Sequence, residues 1–323
     1  MFMPACSAMF YLKLEEIMMD TKKGHSEEYF KDYRDYWWNA DFLELMAKRW
    51  ELSRCSTLLD VGAGQCHWSR LLAPHLKSPR KVTAVDRDEK WSKGSPEIVK
   101  LFNAIDTEVE FRCGDACALP FPDDTFDVVT CQTVLIHIAD PLKALSEMKR
   151  VMKKGGILIT AEPQNLSGWV MNGSTLTRDE PVEAALDRVR YGLTYERGKR
   201  MLGQGDNSLG DHMPGLFARA GMQDIRVYLS DKASPLFPPY ESEEQKAILR
   251  TYREWQAEGS GSCDREQALQ YFRAYGEDEE NLAFFEREFD TMQRENEALI
   301  QAADAGHFSM GGAVITYLVS GTK

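Results

Sequence analysis

Three aspartates close three successive apolar runs in the first third of the chain, and two glycines follow the first of them. Thr57-Leu58-Leu59-Asp60-Val61-Gly62-Ala63-Gly64 is a run that ends in an acid and then turns. Lys81-Val82-Thr83-Ala84-Val85 ends in Asp86, and a third run ends at Arg112-Cys113-Gly114-Asp115. Glycine is used where φ must be positive or where a ligand touches backbone. A strand, glycine turn and helix in that order place amide groups at the carboxyl edge of a parallel sheet, where open α/β folds bind ligands. The dinucleotide fingerprint requires a third glycine three residues after Gly64, and His67 stands there, which counts against a pyrophosphate at the helix start. Asp86 follows the glycines by ~20 residues, the spacing at which a carboxylate meets a ribose. Asp115 with Ala116 suits an adenine amino group, through carboxylate and backbone. A lone aspartate at a strand end is more often a helix cap, but three in succession beside a glycine turn favour a site. They fit a nucleoside without a phosphate chain, and their acidity suits a ligand that carries a sulfonium.

Positioning these residues requires alternating strands and helices. The apolar pattern predicts strands at 57–61, 81–85, 108–112, 126–131 and 156–161, with helices at 67–76, 95–104 and 141–153 between them. Such alternation gives a parallel sheet covered on both faces. Pro141 fits the first turn of its helix, and Gly155-Gly156 is expected to end that helix and open the next strand. Before the first strand, Ser26-Glu27-Glu28 reads as a helix cap. Tyr29, Tyr33, Trp37, Phe42, Leu45, Met46 and Trp50 then mark an aromatic-rich helical pair, and Tyr33 becomes a candidate substrate contact in a flap over the ligand. Alternation lapses twice, over 163–210, with a helix expected near Val182–Tyr191, and over 235–305, with three helical stripes. A helix at 211–220 and strands at 224–229 and 313–319 complete the pattern. Long interruptions inside a compact domain are usually functional. The expected organisation is therefore a mobile leader (1–25), helices and sheet core (26–162), a cap insertion (163–210), core (211–234), a helical cap insertion (235–305) and a final core strand (306–323).

The 323 residues are 43% hydrophobic and carry a formal charge of −12. That balance disfavours a phosphate-tracking surface, since nucleic-acid binders gain affinity from clustered Lys and Arg. No nucleic-acid partner is expected, and the acceptor side is assigned to a small molecule. Seven cysteines are scattered without a Cys-x-x-Cys spacing, which points to a reduced, cytoplasmic interior. Cys113 and Cys117 have no histidine pair nearby, so no metal is expected. The apolar patch Met9-Phe10-Tyr11-Leu12 is too short for a signal peptide or membrane span.

Leu58 to Gly64, the strand-end Asp86, the step Gly114-Asp115-Ala116 and Phe126-Asp127-Val128-Val129 resemble class I S-adenosylmethionine-dependent methyltransferases. So do His137-Ile138-Ala139-Asp140-Pro141 and Leu145 to Leu158. The resemblance is closest to the small-molecule group that includes ubiquinone-biosynthesis-type enzymes. It implies a Rossmann-like, doubly wound seven-stranded sheet whose last strand runs antiparallel, matching the late strand. It implies Asp60, Gly62, Ala63 and Gly64 around the methionyl part of S-adenosylmethionine, Asp86 on the ribose and Arg87 beside it. It places Asp115 and Ala116 at adenine and Gln132 near the sulfonium. Thr130-Cys131-Gln132-Thr133 replaces the Asn/Asp-Pro-Pro-Tyr of DNA-adenine and protein-glutamine enzymes, which argues against those acceptors.

Methyl transfer from a sulfonium needs alignment and exclusion of water more than acid–base help. Where the acceptor loses a proton, His137 is the candidate base, because it follows the fourth strand. Trp169, Tyr191, Tyr195, Arg197 and His212 are the candidate substrate contacts in the cap. Two other readings use the same sheet, an NAD(P)-dependent oxidoreductase and a non-catalytic cofactor-binding protein with the lid as a partner surface.

Overall fold

The structure, a computed structural model, describes residues 31–171, 173–258, 264–312 and 314–323. Seven strands form one sheet: β1 (Thr57–Val61), β2 (Arg80–Asp86), β3 (Thr107–Cys113), β4 (Phe126–Gln132), β5 (Met152–Gln164), β6 (Gln223–Leu229) and β7 (Ile315–Thr322), in the order β3-β2-β1-β4-β5-β7-β6. β7 runs antiparallel to both β5 and β6, and the pairs among β1 to β5 are parallel. The chain order reverses at β1, whose two neighbours are β2 and β4, and this is where such sheets open a crevice.

Side-chain alternation explains why the sheet is covered on both faces. Leu58, Val128 and Ile159 enter one apolar cluster, with α1 (Ala40–Arg49), α2 (His67–Leu72) and α3 (Pro96–Asn103) packed on it. Their neighbours Leu59, Val129 and Leu158 enter the opposite cluster, under α4 (Pro141–Val151) and, past two intervening helices in the chain, α7 (Met213–Arg219). Each of these six is fully buried, which stabilises by about 1.5–3 kcal/mol apiece. Asp127 fixes the start of β1 by accepting from the amides of Ser56 and Thr57, both at 3.0 Å.

The interruptions hold the helices expected to form the lid. Residues 163–210 hold α5 (Leu166–Met171) and α6 (Val182–Met201); residues 235–305 hold α8 (Glu243–Ala257), α9 (Arg265–Tyr275) and α10 (Glu279–Asp304). Ser242, Asp264 and Asp278 start the last three by accepting from the amide three residues on. Tyr191, Phe272, Phe284, Phe285 and Phe289 join α6 to α9 and α10 in one aromatic core. A second cluster, around Leu236, Ile248, Leu249, Ala303 and Phe308, takes in Tyr33.

Several boundaries differ from expectation. α6 continues to Met201 because Gly192 and Gly198, which weaken a helix in isolation, are packing devices: a Cβ at 192 would lie 2.7 Å from the Trp169 ring, and one at 198 would run into the Tyr271 backbone. Val151 already ends α4, and β5 begins at Met152, so Gly155-Gly156 sit within the strand span, where Gly155 (φ +76°) lies by the register shift against β4. α2 stops at Leu72, and Pro74 sits in a following 3-10 turn. The first member of the aromatic pair is a 3-10 helix, Lys31–Tyr36, and the expected helix at 211–220 splits into the 3-10 turn Leu209–His212 and α7. β7 occupies 315–322 rather than 313–319. The expected leader, the cap Ser26-Glu27-Glu28 and Tyr29 lie outside the described residues. Among those described, no helix is long and apolar enough to cross a membrane.

Candidate functional site

The turn after β1 folds onto β2. The amides of Gly62 and Ala63 both donate to the Val85 carbonyl, at 2.8 and 3.1 Å. Gly64 N–H donates to Asp86 Oδ2 at 3.0 Å, while Asp88 N–H donates to Oδ1 at 2.9 Å. Asp86 is thus a buried carboxylate (3% exposed) braced by the backbone it supports. A ribose would share oxygens that already accept one bond each. Gly62 (φ +67°) cannot be replaced cheaply, because a Cβ there would lie 2.6 Å from Val134, on the turn after β4. Cys66 enters α2 in the left-handed region, φ 61°, and no side-chain hydrogen bond caps that six-residue helix.

Adjacent strand ends carry the other acids. The register pairs Asp60 with Ala84 and Asp86 with Cys113, so β1, β2 and β3 finish side by side. Asp60 is buried; Asp115 is exposed and accepts from Cys117 N–H at 2.7 Å, with Ala116 half-buried, and Arg87, which follows Asp86, is exposed. Three carboxylates against one arginine suit a cationic nucleoside better than a pyrophosphate. Among the described residues no cluster of His, Cys, Asp and Glu has the geometry to hold a metal.

Beyond β4, Gln132 is buried, Thr133 has φ 54°, and a 3-10 turn spans Leu135–His137. Opposite charges hold this turn at its two ends. Glu162 Oε1, near the end of β5, accepts from the amides of Val134 (3.1 Å) and Leu135 (3.0 Å). From the lid, Lys199 Nζ donates to the Ile136 carbonyl at 3.1 Å and to Asn207 Oδ1. An anion at the amide end and a cation at the carbonyl end match the turn's dipole. Burial pushes the Glu162 carboxyl up to about 7 against the pull of those amides. It draws the Lys199 ammonium down to about 8, against Glu196, Asp206 and Glu162. His137 is exposed, with Nδ1 at 3.4 Å from Lys199 Nζ. When that nitrogen accepts from the ammonium, Nε2 carries the proton and is a donor, a poor arrangement for a base.

The cap candidates separate into two groups. Trp169 and Tyr191 (centroids 5.5 Å apart) and Tyr195 with Tyr271 (4.8 Å) belong to the lid's aromatic packing. Tyr33 is hydrogen-bonded to Ser234, and burial raises its phenol. Arg197 and His212, in contrast, line a cavity of ≈140 Å³ between α6 and the end of β5, together with Gln164, Glu196, Ser208 and Asp211. Sequence reasoning missed Glu162, Lys199, Glu196 and Ser208. Glu162 carried the same signal as Asp60 and Asp86, an acid closing an apolar run, and was readable. Glu196 and Lys199 carried none, being two charges among many on α6.

A methyltransferase-domain family model matches residues 59–160. A demethylmenaquinone methyltransferase of Listeria welshimeri is 36% identical over 135 residues, covering 41% of this chain and 54% of that one. One of Lysinibacillus sphaericus is 31% identical over 159 residues, covering 45% and 64%. The chain therefore spans about half to two thirds of the length of these curated relatives. Among solved structures, the YcgJ protein of Bacillus subtilis is similar at TM-score 0.48 and 19% identity, covering 88% of this chain and 99% of that one. A putative methyltransferase of Bacillus halodurans follows at 0.47 and 20%, covering 88% and 98%.

Proposed function

We propose that the chain, whose residues 59–160 match a methyltransferase-domain family model, is an S-adenosylmethionine-dependent methyltransferase acting on a small organic acceptor. The observation that carries this reading is the glycine turn bound over the end of β2, with Asp86 beneath it and two further acids on the neighbouring strand ends. S-adenosylmethionine, when bound, supplies a methyl group already activated on a sulfonium. Asp60, Gly62, Ala63 and Gly64 would surround its methionyl part, with Asp86 and Arg87 at the ribose, Asp115 and Ala116 at adenine and Gln132 toward the methyl. The adenosine would then lie over β3 and β2, and the acceptor would approach from the β4–β5 side, beneath the lid. Cys55, Cys113, Cys117 and Cys131 are free thiols, which supports a reducing, cytoplasmic setting.

The short uncapped α2, without a third glycine before it, disfavours the NAD(P) alternative. Calorimetry on the full chain separates the two. S-adenosylhomocysteine is expected to bind one-to-one and NADH not at all. Binding of NADH alone would overturn the assignment.

A further inference from the structure

The cavity between α6 and the end of β5 is walled by charges of both signs. Glu196 and Ser208 are each 4% exposed there. Ser208 Oγ accepts from Leu166 N–H at 2.8 Å, so its proton is directed to Glu196 Oε1, also at 2.8 Å. Arg200 is paired with Asp206 at 3.1 Å. Among the described residues no ion pair engages Arg197, and His212 stands 3.8 Å from Asp211. Glu196 lies one residue short of a helical turn before Lys199, whose ammonium reaches the turn after β4. Gln164 closes β5, the neighbour of β4 on the side away from β1. The cavity therefore sits at the sheet edge on the acceptor side.

We infer that this cavity is the acceptor subsite, that it takes a small amphoteric molecule with an amine or hydroxyl and an anionic group, and that Glu196 receives the acceptor's proton. This rests on the methyl-transfer reading above. Size supports it, since a cavity of about 150 Å³ admits one benzene-sized ligand, close to the ≈140 Å³ found here. Arg197 and His212 face the anionic group. The acceptor's nitrogen or oxygen takes the methyl group, the electron pair of the broken carbon–sulfur bond stays on sulfur, and the proton passes to the Glu196 carboxylate. Burial pushes that carboxyl up to about 7, with Asp206 acting in the same direction and Ser208, Lys199 and Arg200 opposing. A base with that value works near neutral pH.

Two measurements on the full chain test this. Equilibrium dialysis without S-adenosylmethionine uses radiolabelled serine and phosphoserine, with ethanolamine, which lacks an anionic group, and an apolar naphthoquinol as controls. The amphoteric probes are expected to bind, and Arg197→Ala to weaken them at least tenfold. Equal binding by the Arg197→Ala protein, or binding of the naphthoquinol alone, overturns the subsite. In turnover, Glu196→Gln is expected to lower kcat at least 100-fold and abolish the acidic limb of the pH profile, against less than tenfold for His137→Ala. Should Glu196→Gln fail to fold, Ser208→Ala, which removes the hydroxyl donor to Glu196 together with the acceptor of the Leu166 amide, is expected to shift the acidic limb upward. A pH profile that neither variant moves overturns the role of Glu196. Absence of S-adenosylhomocysteine binding would refute methyl transfer and leave the dialysis result standing on its own.

Discussion

Asp86 serves the protein before it serves a ligand. Its two oxygens hold the amides of Gly64 and Asp88, so its removal is expected to loosen the glycine turn even without cofactor. Asp86→Asn keeps the shape but leaves one amide facing an NH₂ group. We expect it to cost about 1.5–3 kcal/mol of apo stability in denaturant titration and to weaken S-adenosylhomocysteine at least tenfold by calorimetry. Loss of affinity at unchanged apo stability would confine the carboxylate to the ribose. Gly62 makes a second residue-scale case. Gly62→Ala meets left-handed strain of about 1–2 kcal/mol and a Val134 methyl 2.6 Å from the new Cβ. Val134→Ala should recover the overlap and leave the strain, so a double-mutant cycle will show positive coupling. Additive costs would mean that the two loops do not press on each other.

The turn Leu135–His137 is the element on which sheet and lid meet. Glu162 holds its amides from β5, Lys199 holds its carbonyl from α6, and Gly205 lies so close that a Cβ would stand 2.3 Å from the Ile136 oxygen. Lys199→Met and Glu162→Leu should each raise hydrogen exchange of amides 134–138 about tenfold, or ~1.4 kcal/mol of local opening. Glu162→Gln, which retains an acceptor oxygen, should not. Uniform exchange across the sheet would instead mean a general loss of stability. This element also marks the limit of what could be read from the chain. The strands were readable because Leu58, Val82 and Val128 sit in apolar runs bounded by glycine and acids, a local signal. The glycines of α6 hid its length, because their reason is Trp169 on one neighbour and the Tyr271 backbone on another. Lys199 was invisible for the same cause. A buried lysine differs from a surface one only in what folds around it.

Across the whole molecule, three buried ionisable groups meet where the lid closes on the sheet, and their charges set how stability varies with pH. Glu162 and Glu196 rise from an ordinary 4.5 to about 7 in the folded chain. The folded state binds their protons more tightly than the unfolded state, so their contribution is complete below 4.5 and is lost as pH climbs to 7. Lys199 falls from 10.5 to about 8. Between 8 and 10.5 the unfolded chain holds the extra proton, so stability returns as pH rises through that window. The result is a trough between about 7 and 8, where both acids and the lysine are charged and desolvated together, each of the three groups worth up to about 3 kcal/mol. Denaturant midpoints from pH 5 to 10 should trace it. Glu162→Gln should shallow the acid limb and Lys199→Met the alkaline one, and difference curves against wild type cancel the opposite drift from His75 and the loss from Cys55. A wild-type midpoint that rises steadily from pH 5 to 7, with the Glu162→Gln curve parallel to it, would mean that the carboxylate at the root of the lid is paired in water rather than buried against the turn.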